Sequence, residues 1–392
     1  MARSDTEQYE VLIVGARVAG AATALLLARA GHRVLVVDRA RRGSDTLSTH
    51  ALMRPAVHQL RRWGLLDRLV EQGTPPQQRV VFHYGDDQVP VEVAEPLYAP
   101  RRTVLDPLLV AAAEEAGAEF RFGVSVEGVL RDGDGQVAGV RLRDERRRQV
   151  DLPARVTVGA DGRRSRVARE VDAPVTHRGT TASAFLLGYW SGVEAVGYEW
   201  CYRPGSAAGV IPTNDGQVCV FAGVPSGQLT EALQDGAEVA MQRILTATTP
   251  AVAERIAAGR RQGPVRCYPG VAGWLRRPWG PGWALVGDAG YFKDPLTAHG
   301  MTDALRDAEL VALAVHRTLE DPGAEAEAGA DYQAVRDRLS LRFFEVTNAI
   351  AGFGWDLSEV QSLHLAMSEA MKHEYAVMAA SEGLLPHAAP TA

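Results

Sequence analysis

Residues 11–38 read VLIVGARVAGAATALLLARAGHRVLVVD, and this stretch decides the fold. Its first four residues are all apolar, as expected of a parallel strand that is buried on both faces. The run of Ala and Leu that follows favours a helix, and Gly31 is a typical helix end. A second apolar run, residues 34–37, leads into Asp38. The order strand, glycine-rich turn, helix, strand and acid predicts a nucleotide-binding βαβ unit.

The glycine-rich turn is an incomplete form of the GxGxxG pattern. Gly15 and Gly20 take the first and third glycine positions, and Asp38 follows Gly15 by 23 residues. This spacing places the Asp38 carboxylate near a ribose and a pyrophosphate at the helix N-terminus. Arg17 replaces the middle glycine, so it either weakens phosphate binding or adds a cation to it. A βαβ unit that packs for structure alone is the competing interpretation.

The composition, with 46% hydrophobic and 23% charged residues, is that of an ordinary globular protein. It excludes intrinsic disorder, a collagen-like repeat and a disulfide scaffold. The net charge of −6 disfavours nucleic acid as a partner. The N-terminus is polar and no apolar run approaches the ~20 residues of a membrane span, so we expect a cytoplasmic protein without a membrane partner. Three separated cysteines without a CxxC pair predict buried free thiols in a reducing compartment: Cys201, Cys219 and Cys267.

Two later strands also end near an aspartate. A strand over residues 156–159 runs into Asp161, and a second one runs into Gly287 and Asp288. With the N-terminal unit, these segments resemble, in order and spacing, the three cofactor motifs of FAD-dependent oxidoreductases of the class A flavoprotein monooxygenase (aromatic hydroxylase-like) superfamily. The resemblance covers about residues 10–320.

The resemblance implies an α/β fold, in which a FAD-binding Rossmann-like domain of the aromatic hydroxylase/glutathione reductase type carries an inserted antiparallel-sheet substrate domain and a helical C-terminal region. Its FAD domain would comprise residues 8–175, with some substrate-side segments near 75–100, and residues 271–325. Residues 176–270 would form the substrate-binding sheet and residues 326–392 the C-terminal helices. Because a one-residue shift reverses the faces of a strand, the inward side chains of the sheet stay open.

The resemblance also implies which residues hold FAD. Asp38 would bind the adenosine ribose, Arg102 would reach the cofactor from the next helix, and Val126 would offer its backbone to the adenine. Asp161 would support the fold around the pyrophosphate, and Asp288 would contact the ribityl chain. The whole expected set is Gly15, Ala16, Arg17, Ala19, Gly20, Asp38, Arg39, Arg102, Val126, Asp161, Gly287, Asp288, Pro295, Ala298, Gly300 and Met301.

The end of this set would surround the flavin ring. Pro295 would lie beside the ring, and the helix that begins near Gly300 would direct its positive end at the edge where reduced flavin carries negative charge. The chain has no second GxGxxG. As in the family that it resembles, NADH or NADPH would therefore bind transiently as electron donor, without a Rossmann domain of its own.

The third motif departs from the commonest family form, which leaves several chemistries open. Asp294-Pro295 replaces a Pro-Pro pair, and this form is similar to that of flavin-dependent halogenases and geranylgeranyl-reductase-like flavoproteins. Monooxygenation fits best: hydroxylation or epoxidation of a small organic molecule, such as a specialised metabolite, through a flavin C4a-hydroperoxide formed with NAD(P)H and O2. A reductase or dehydrogenase on the same fold is the alternative.

Two further interpretations are less favoured. Halogenases need a lysine in the N-terminal half of the fold and a WxWxIP segment, whereas no lysine precedes Lys293 here and the tryptophan pair is missing. A non-catalytic flavin-fold binding protein would follow if the Arg17 replacement abolished FAD binding.

The best candidates for acid–base chemistry are His50 and His299, because both lie in segments expected to border the flavin and histidine titrates near neutral pH. A structural hydrogen bond is the alternative role for each. Arg54 would steer an anionic substrate or the nicotinamide phosphate. The ten histidines show no ligand spacing such as HExxH, so we expect no metal. The oligomeric state stays open.

Overall fold

The computed structural model describes residues 9–144 and 146–380. The polar N-terminus and the last part of the predicted C-terminal region lie outside these ranges. Within them the strands are β1 Tyr9–Val14, β2 Val34–Asp38, β3 Gln77–Tyr84, β4 Asp87–Leu97, β5 Glu119–Phe122, β6 Ser125–Arg131, β7 Val137–Arg143, β8 Gln149–Gly159, β9 Val175–Arg178, β10 Ser183–Ser191, β11 Tyr198–Arg203, β12 Ser206–Pro212, β13 Gln217–Pro225, β14 Arg260–Arg261, β15 Arg266–Tyr268, β16 Trp274–Arg276, β17 Trp279–Gly280, β18 Trp283–Leu285 and β19 Tyr291–Phe292.

The α-helices lie between and after these strands. They are α1 Val18–Arg29, α2 Arg54–Arg62, α3 Leu66–Glu71, α4 Arg102–Glu115, α5 Arg166–Glu170, α6 Leu229–Ala232, α7 Ala237–Thr248, α8 Pro250–Ala257, α9 Gly300–Glu320, α10 Glu325–Ala351 and α11 Leu357–Ala380. Among the helices of the described ranges, none is both long and apolar enough to cross a lipid bilayer.

The first sheet contains the predicted βαβ unit. Strand β1 pairs in parallel with β2 on one side and with β8 on the other. In this register Val11 lies beside Val34 and Val156. Strands β5 and β18 extend this parallel core at its two sides. Helices α1, α4 and α9 bury their Ala and Leu side chains on one face of the sheet. The antiparallel strands β6 and β7 cover the other face. The expected Rossmann-like fold is therefore confirmed.

The second sheet has the order β14-β10-β13-β12-β11-β3-β4, with β15 also beside β10. Its pairs are antiparallel, as predicted, except that β11 runs parallel to β3. Helices α7 and α8 cover one face of this sheet, where they bury apolar side chains such as Val210 and Val220. The opposite face, rich in aromatic residues, packs against Phe343 of α10 and against Phe353 and Trp355, which lie between α10 and α11.

The cysteine prediction is correct at two of three positions. Cys201 and Cys219 are buried free thiols, whereas Cys267 is exposed. Cys267 lies on the three-residue edge strand β15, which pairs only with β10 within the described chain. Because successive side chains of a strand point to opposite faces, the burial of Tyr268 leaves its neighbour Cys267 on the outer side.

Candidate active site

The Gly15–Gly20 segment, the predicted phosphate turn, depends on two glycines that no larger residue can replace. Gly15 has φ +111°, and a Cβ there would lie 2.4 Å from the carbonyl oxygen of Ala160. A Cβ on Gly20 would lie 1.8 Å from the Gly15 carbonyl oxygen. Helix α1 begins directly after this turn, and its N-cap residue Arg17 makes no side-chain capping bond. The first amides of α1 are thus left to a ligand, and a helix N-terminus favours an anion.

Asp38 lies at the end of β2, beside this turn. Its two carboxylate oxygens accept hydrogen bonds from the backbone amides of Ala16 and Ala40, both at 2.7 Å. These bonds fix the carboxylate while leaving lone pairs on both oxygens, as a ribose-binding aspartate requires. The adjacent Arg39 is exposed, and Val126 lies half-buried in β6 opposite Leu142.

Arg17 extends into a region where several charges meet. One of its terminal nitrogens, Nη1, is buried and has no hydrogen-bond partner within the described residues. Burial lowers the pKa of Arg17, and the nearby guanidinium of Arg102 lowers it further. Arg102 itself is held by Asp106, which accepts its Nε and Nη2 hydrogens at 2.8 and 2.9 Å. An orphaned cation beside a helix N-terminus fits a phosphate oxygen.

The two later aspartates lie at the ends of β8 and β18. Asp161 caps α5, where it accepts hydrogen bonds from the Ser165 hydroxyl and the Arg166 amide, each at 2.5 Å. Gly287 has φ +60°, and a Cβ there would lie 2.8 Å from the Ala19 Cβ, so the Gly287 turn packs closely on α1. Asp288 follows in this turn. Burial raises its pKa, and the cations Arg163, Lys293 and Arg102 oppose that rise.

The third motif continues in a loop, residues 294–299, which we call the flavin loop, directly before α9. Asp294 accepts hydrogen bonds from the amides of Ser183 and Leu296 at 2.7 and 2.9 Å, which tie the loop to the second sheet. Pro295 begins a short 3-10 turn, and Ala298 ends it in the left-handed conformation with φ +50°. Helix α9 then starts at Gly300, in front of which nothing lies within 4 Å of an added Cβ. The next residue, Met301, has its sulfur 4.0 Å from the Ser48 hydroxyl.

His50 lies in a strained and fully buried position across from this loop. Its φ is +67°, and the exposed fraction of the residue is 0%. The Nε2 atom lies 2.6 Å from the hydroxyl oxygen of Tyr189 on β10. The guanidinium of Arg101 stacks over the Tyr189 ring at 3.7 Å. Burial lowers the pKa of His50 well below its ordinary value, and Arg101 and Arg102 lower it further, so the ring is neutral at physiological pH.

His299 belongs to a buried ionic cluster behind the third motif. It is the N-cap residue of α9, and Nε2 donates a hydrogen bond of 2.8 Å to Glu374 of α11. Arg306 of α9 donates to the other Glu374 oxygen at 2.9 Å and to Asp307 at 2.7 Å. The ring of His299 also stacks on Phe343, with 4.4 Å between centroids. His299 and Glu374 therefore join the start of α9 to the C-terminal helix.

A lysine completes this cluster. Lys293 Nζ is paired with Asp303, and both side chains are buried. Burial lowers the pKa of Lys293 to about 7, with Arg306 contributing. Arg54, the third sequence candidate, lies elsewhere, at the start of α2 with its guanidinium 4.3 Å from the centre of the Tyr375 ring. The structure thus brings His299 and the third motif together, joins His50 to Tyr189 of the second sheet, and holds Arg54 against α11.

Register in the second sheet identifies the side chains that sequence analysis left open. On β10 the residues that face the C-terminal helices alternate with those that face α7 and α8, as Phe185 and Leu186 do. The same alternation separates Trp200 from Cys201 on β11. The aromatic face, as we name it, also contacts Leu296 and Ala298 of the third motif and consists of Phe185, Leu187, Tyr189, Tyr198, Trp200, Tyr202, Ile211, Cys219, Phe221 and Tyr268.

Several residues of the site were missed in the sequence. Tyr189 and Arg101 carry no motif of their own, and Glu374 is 75 residues from His299 along the chain. The only available signal was the aromatic richness of residues 185–202. It predicts a buried sheet but says nothing about which histidine a tyrosine contacts.

FAD fits the residues that are present. The Gly15–Gly20 turn provides a close backbone approach, and the orphaned Arg17 Nη1 needs an anion. Asp38 has free acceptor capacity at the ribose position, and the start of α9 is open in front of Gly300.

Comparison with known proteins agrees with this fit. Residues 8–337 match the FAD binding domain family, which is most of the chain. The chain belongs to this family. Its relatives include a phenol monooxygenase, halogenases and geranylgeranyl-reductase-like proteins, so the resemblance to the class A flavoprotein monooxygenases is confirmed. The protein therefore belongs to a family of FAD-dependent oxidoreductases that includes monooxygenases.

The individual relatives cover several activities. The chain is 28% identical over 239 residues to 2,4-dichlorophenol 6-monooxygenase of Delftia acidovorans, a match that spans 52% of this chain and 39% of that enzyme. It is 26% identical to digeranylgeranylglycerophospholipid reductase 1 of Methanopyrus kandleri, over 88% of this chain and 90% of the reductase.

Solved structures give the same mixture. The P. aeruginosa protein PqsL in complex with 2-aminobenzoylacetate is similar with a TM-score of 0.78 and 25% identity, over 93% of this chain and all of PqsL (100%). The myxobacterial chondrochloren halogenase CndH also has a TM-score of 0.78 and 25% identity, over 86% of this chain and 81% of the halogenase.

Proposed function

We propose that the protein is a monooxygenase that hydroxylates or epoxidises a small organic substrate with NAD(P)H and O2. The observation that carries this proposal is the aromatic face of the second sheet, which packs against Leu296 and Ala298 of the third motif. A wall of this kind excludes water, and its side next to the flavin loop would border a flat, electron-rich substrate. When bound, FAD supplies the two-electron chemistry that links nicotinamide oxidation to oxygen activation.

Each part of FAD has a proposed partner in the chain. Asp38 would hold the adenosine ribose, the start of α1 with Arg17 the pyrophosphate, and Asp288 the ribityl chain. The start of α9, behind Pro295 and Ala298, would place its positive helix end at the flavin edge where negative charge develops. Asp161 would act indirectly, because its backbone lies against Gly15 while its carboxylate holds the start of α5.

His50 and Tyr189 are the proposed proton-handling pair. His50 is neutral, and in the tautomer with its proton on Nδ1 its Nε2 would accept the hydrogen bond of the Tyr189 hydroxyl, 2.6 Å away. A substrate hydroxyl or amine that binds at this pair can pass its proton to His50 Nε2, directly or through Tyr189. The cation of Arg101 over the Tyr189 ring favours the negative charge that such a transfer leaves behind. His299 is a positioning residue in this scheme, since it fixes the start of α9 through Glu374.

A reductase is the second candidate, because a digeranylgeranylglycerophospholipid reductase aligns with 88% of this chain and the alignment spans 90% of that enzyme. The monooxygenase and the reductase differ in whether O2 is consumed and incorporated into the product. Halogenation is not favoured, because the only lysine near the third motif, among the described residues, is buried and paired with Asp303.

The deciding experiment reduces FAD-loaded protein anaerobically and mixes it with O2 in a stopped-flow spectrophotometer, with and without a panel that includes 2,4-dichlorophenol and 2-aminobenzoylacetate. A transient absorbance that matches neither oxidised nor reduced flavin, and 18O from O2 in a product, would support monooxygenation. Anaerobic saturation of a geranylgeranyl lipid, without oxygen uptake, would move the assignment to the reductase. Protein that takes up no FAD would support the non-catalytic interpretation.

Variants separate the role of His50 from a general loss of structure. Tyr189→Phe removes the hydroxyl that contacts His50 but keeps the ring under Arg101. We expect it to slow turnover of hydroxylated substrates about 10²-fold, the lower end of general base effects, with FAD loading unchanged. His177→Gln, an exposed histidine on β9, is the matched control and should keep full activity. Equal activity of the two variants would remove Tyr189 from the scheme.

A further inference from the structure

Two histidines that are 284 residues apart in sequence meet at the end of the FAD domain remote from the phosphate turn. His32 lies in the turn after α1, and His316 lies near the end of α9. The Nε2 atom of His32 is 2.8 Å from Nδ1 of His316. Glu320, the last residue of α9, is one helical turn beyond His316, and the three residues offer ligand atoms that all lie within 4.8 Å of one another.

We propose that His32, His316 and Glu320 bind a divalent transition-metal ion of the Zn²⁺ class. Two imidazole nitrogens and one carboxylate oxygen are ligands that Zn²⁺ prefers, and a water completes four-coordination. With metal–nitrogen bonds of about 2.0–2.1 Å, the two nitrogens need to separate only slightly from their present positions. His32 is buried, His316 is half-buried and Glu320 is exposed, so an ion can enter from solvent on the Glu320 side.

The surroundings of the three ligands suit a cation. Glu10 has a carboxylate oxygen 3.9 Å from Nδ1 of His32, the ring nitrogen that does not face His316. At this distance Glu10 makes no hydrogen bond to His32, but its negative charge favours a cation bound at the other ring nitrogen. The nearby Arg155 does not compete for the site, because it is engaged by Glu10 at 3.7 Å and by the Leu319 carbonyl at 2.9 Å.

The C-terminal ends of two helices also favour a cation at this site. Helices α1 and α9 both end at this site, and a helix C-terminus carries partial negative charge that stabilises a cation. The same two helices begin at the phosphate turn and at the flavin loop. A bound ion would therefore tie together the far ends of the two helices whose first turns face the cofactor.

A second group of possible ligands does not suit a metal ion, because cations of the protein already pair with it. His299, Asp303 and Glu374 also lie within 4.8 Å of one another. Lys293 and Arg306 already neutralise those two carboxylates and occupy the space between them. The His32 cluster has no such internal cation among the described residues.

The test is a calorimetric titration of FAD-loaded, EDTA-treated and dialysed protein with ZnCl2. We expect about one ion per chain, and a rise of the melting temperature in the presence of Zn²⁺. Glu320→Gln and His316→Gln should each weaken binding at least about tenfold and remove the rise. His373→Gln and Glu369→Gln, which alter exposed residues of α11, should leave both unchanged.

Each result decides for or against the site. Because Glu320 is exposed, its substitution leaves the fold intact, so a loss of binding in Glu320→Gln assigns the carboxylate as a ligand. The proposal is overturned if the wild-type protein binds no Zn²⁺, or if binding is as strong in the two site variants as in the controls. Neither outcome bears on the monooxygenase proposal, which does not involve this site.

Discussion

Glu374→Gln tests whether the ionic cluster behind the flavin loop holds the C-terminal helix in place. Glu374 has only 2% of its surface exposed, and it accepts one hydrogen bond from His299 and one from Arg306. Breaking one partner of a buried ion pair costs about 3–5 kcal/mol, because the remaining charge stays buried without compensation. The Gln amide oxygen still accepts one of the two bonds, so we expect about 3 kcal/mol for Gln and about 5 kcal/mol for Ala.

These free energies translate into a melting temperature. Unfolding entropy of about 2.1 cal/mol/K per residue gives roughly 0.8 kcal/mol/K for this chain. The expected decrease is then about 4 °C for Glu374→Gln and about 6 °C for Glu374→Ala, measured by differential scanning fluorimetry on FAD-loaded protein. Because His299 would lose its anchor, both variants should also release FAD more readily, which the fluorescence of free flavin reports.

Glu369→Gln is the matched control on the same helix. Glu369 pairs with Lys372, and the two side chains are 72% and 64% exposed. Exposed pairs of this kind contribute about 0–1 kcal/mol, so the control should stay within about 1 °C of the wild type. A Glu374→Gln protein that melts together with Glu369→Gln would refute the idea that the cluster anchors α11.

The pH dependence of the same pair gives an independent check. Burial acts to raise the pKa of Glu374, but His299 and Arg306 outweigh it and hold the pKa at about 2, below the ordinary 4.5. A carboxyl with a depressed pKa stabilises the folded state above its unfolded pKa, and this contribution disappears as the pH falls toward the folded value. Burial also lowers the pKa of His299, so the stability difference between wild type and Glu374→Gln reports on Glu374 alone at the acidic end, where it should shrink as the pH falls from about 4.5 toward 2. A difference that still grows below about pH 4 would contradict the assignment.

Three further predictions concern the cofactor site and its loop. Gly20→Ala should abolish FAD loading, because its Cβ would collide with the Gly15 carbonyl, whereas Gly133→Ala, in open space, should load normally in the same absorbance assay. Arg17→Gly should weaken FAD binding about 10- to 100-fold in a fluorescence titration, since a charged hydrogen bond contributes about 1.5–3 kcal/mol; tighter binding would mean that Arg17 obstructs the phosphate. Burial raises the pKa of Asp294 to about 6, so its ionisation costs folded-state stability of about 3 kcal/mol as the pH rises from about 4 to 6. Apo Asp294→Asn protein should lack that pH-dependent loss in thermal melts, and an unchanged pH profile would count against the burial argument.

The FAD domain was predictable because its signals are local. Strand, turn and helix in residues 11–38 follow one another without interruption, and each depends on residue types within a few positions. The antiparallel character of residues 183–225 was also visible from alternating aromatic runs. The parallel pairing of β3 with β11 was not, because strand neighbours far apart in sequence leave no mark on either segment.

The candidate site was harder to predict for the same reason. The sequence favours His50 and His299 because of the motifs beside them, but their partners Tyr189 and Glu374 come from other elements. The inward face of the second sheet needed the register, since Leu186 and Leu187 are chemically alike yet face opposite layers. Packing, and not composition, decided each of these contacts.

The net charge of the whole chain does not determine the charge around the cofactor site. The net charge of −6 argues against an anionic polymer as partner, yet the cofactor site binds a dianionic pyrophosphate in our proposal. Charges beyond about 8–10 Å are screened at physiological ionic strength, so the ligand senses mainly its neighbours. Those neighbours include Arg17 and Arg102 at the phosphate turn, and Arg163 and Lys293 around Asp288. A buried guanidinium nitrogen without a hydrogen-bond partner, such as Arg17 Nη1, is costly unless a ligand completes it. Arg17 is therefore best explained as a cation that binds the phosphates at the position where the motif has its middle glycine. FAD binding is thus compatible with the negative net charge of the chain.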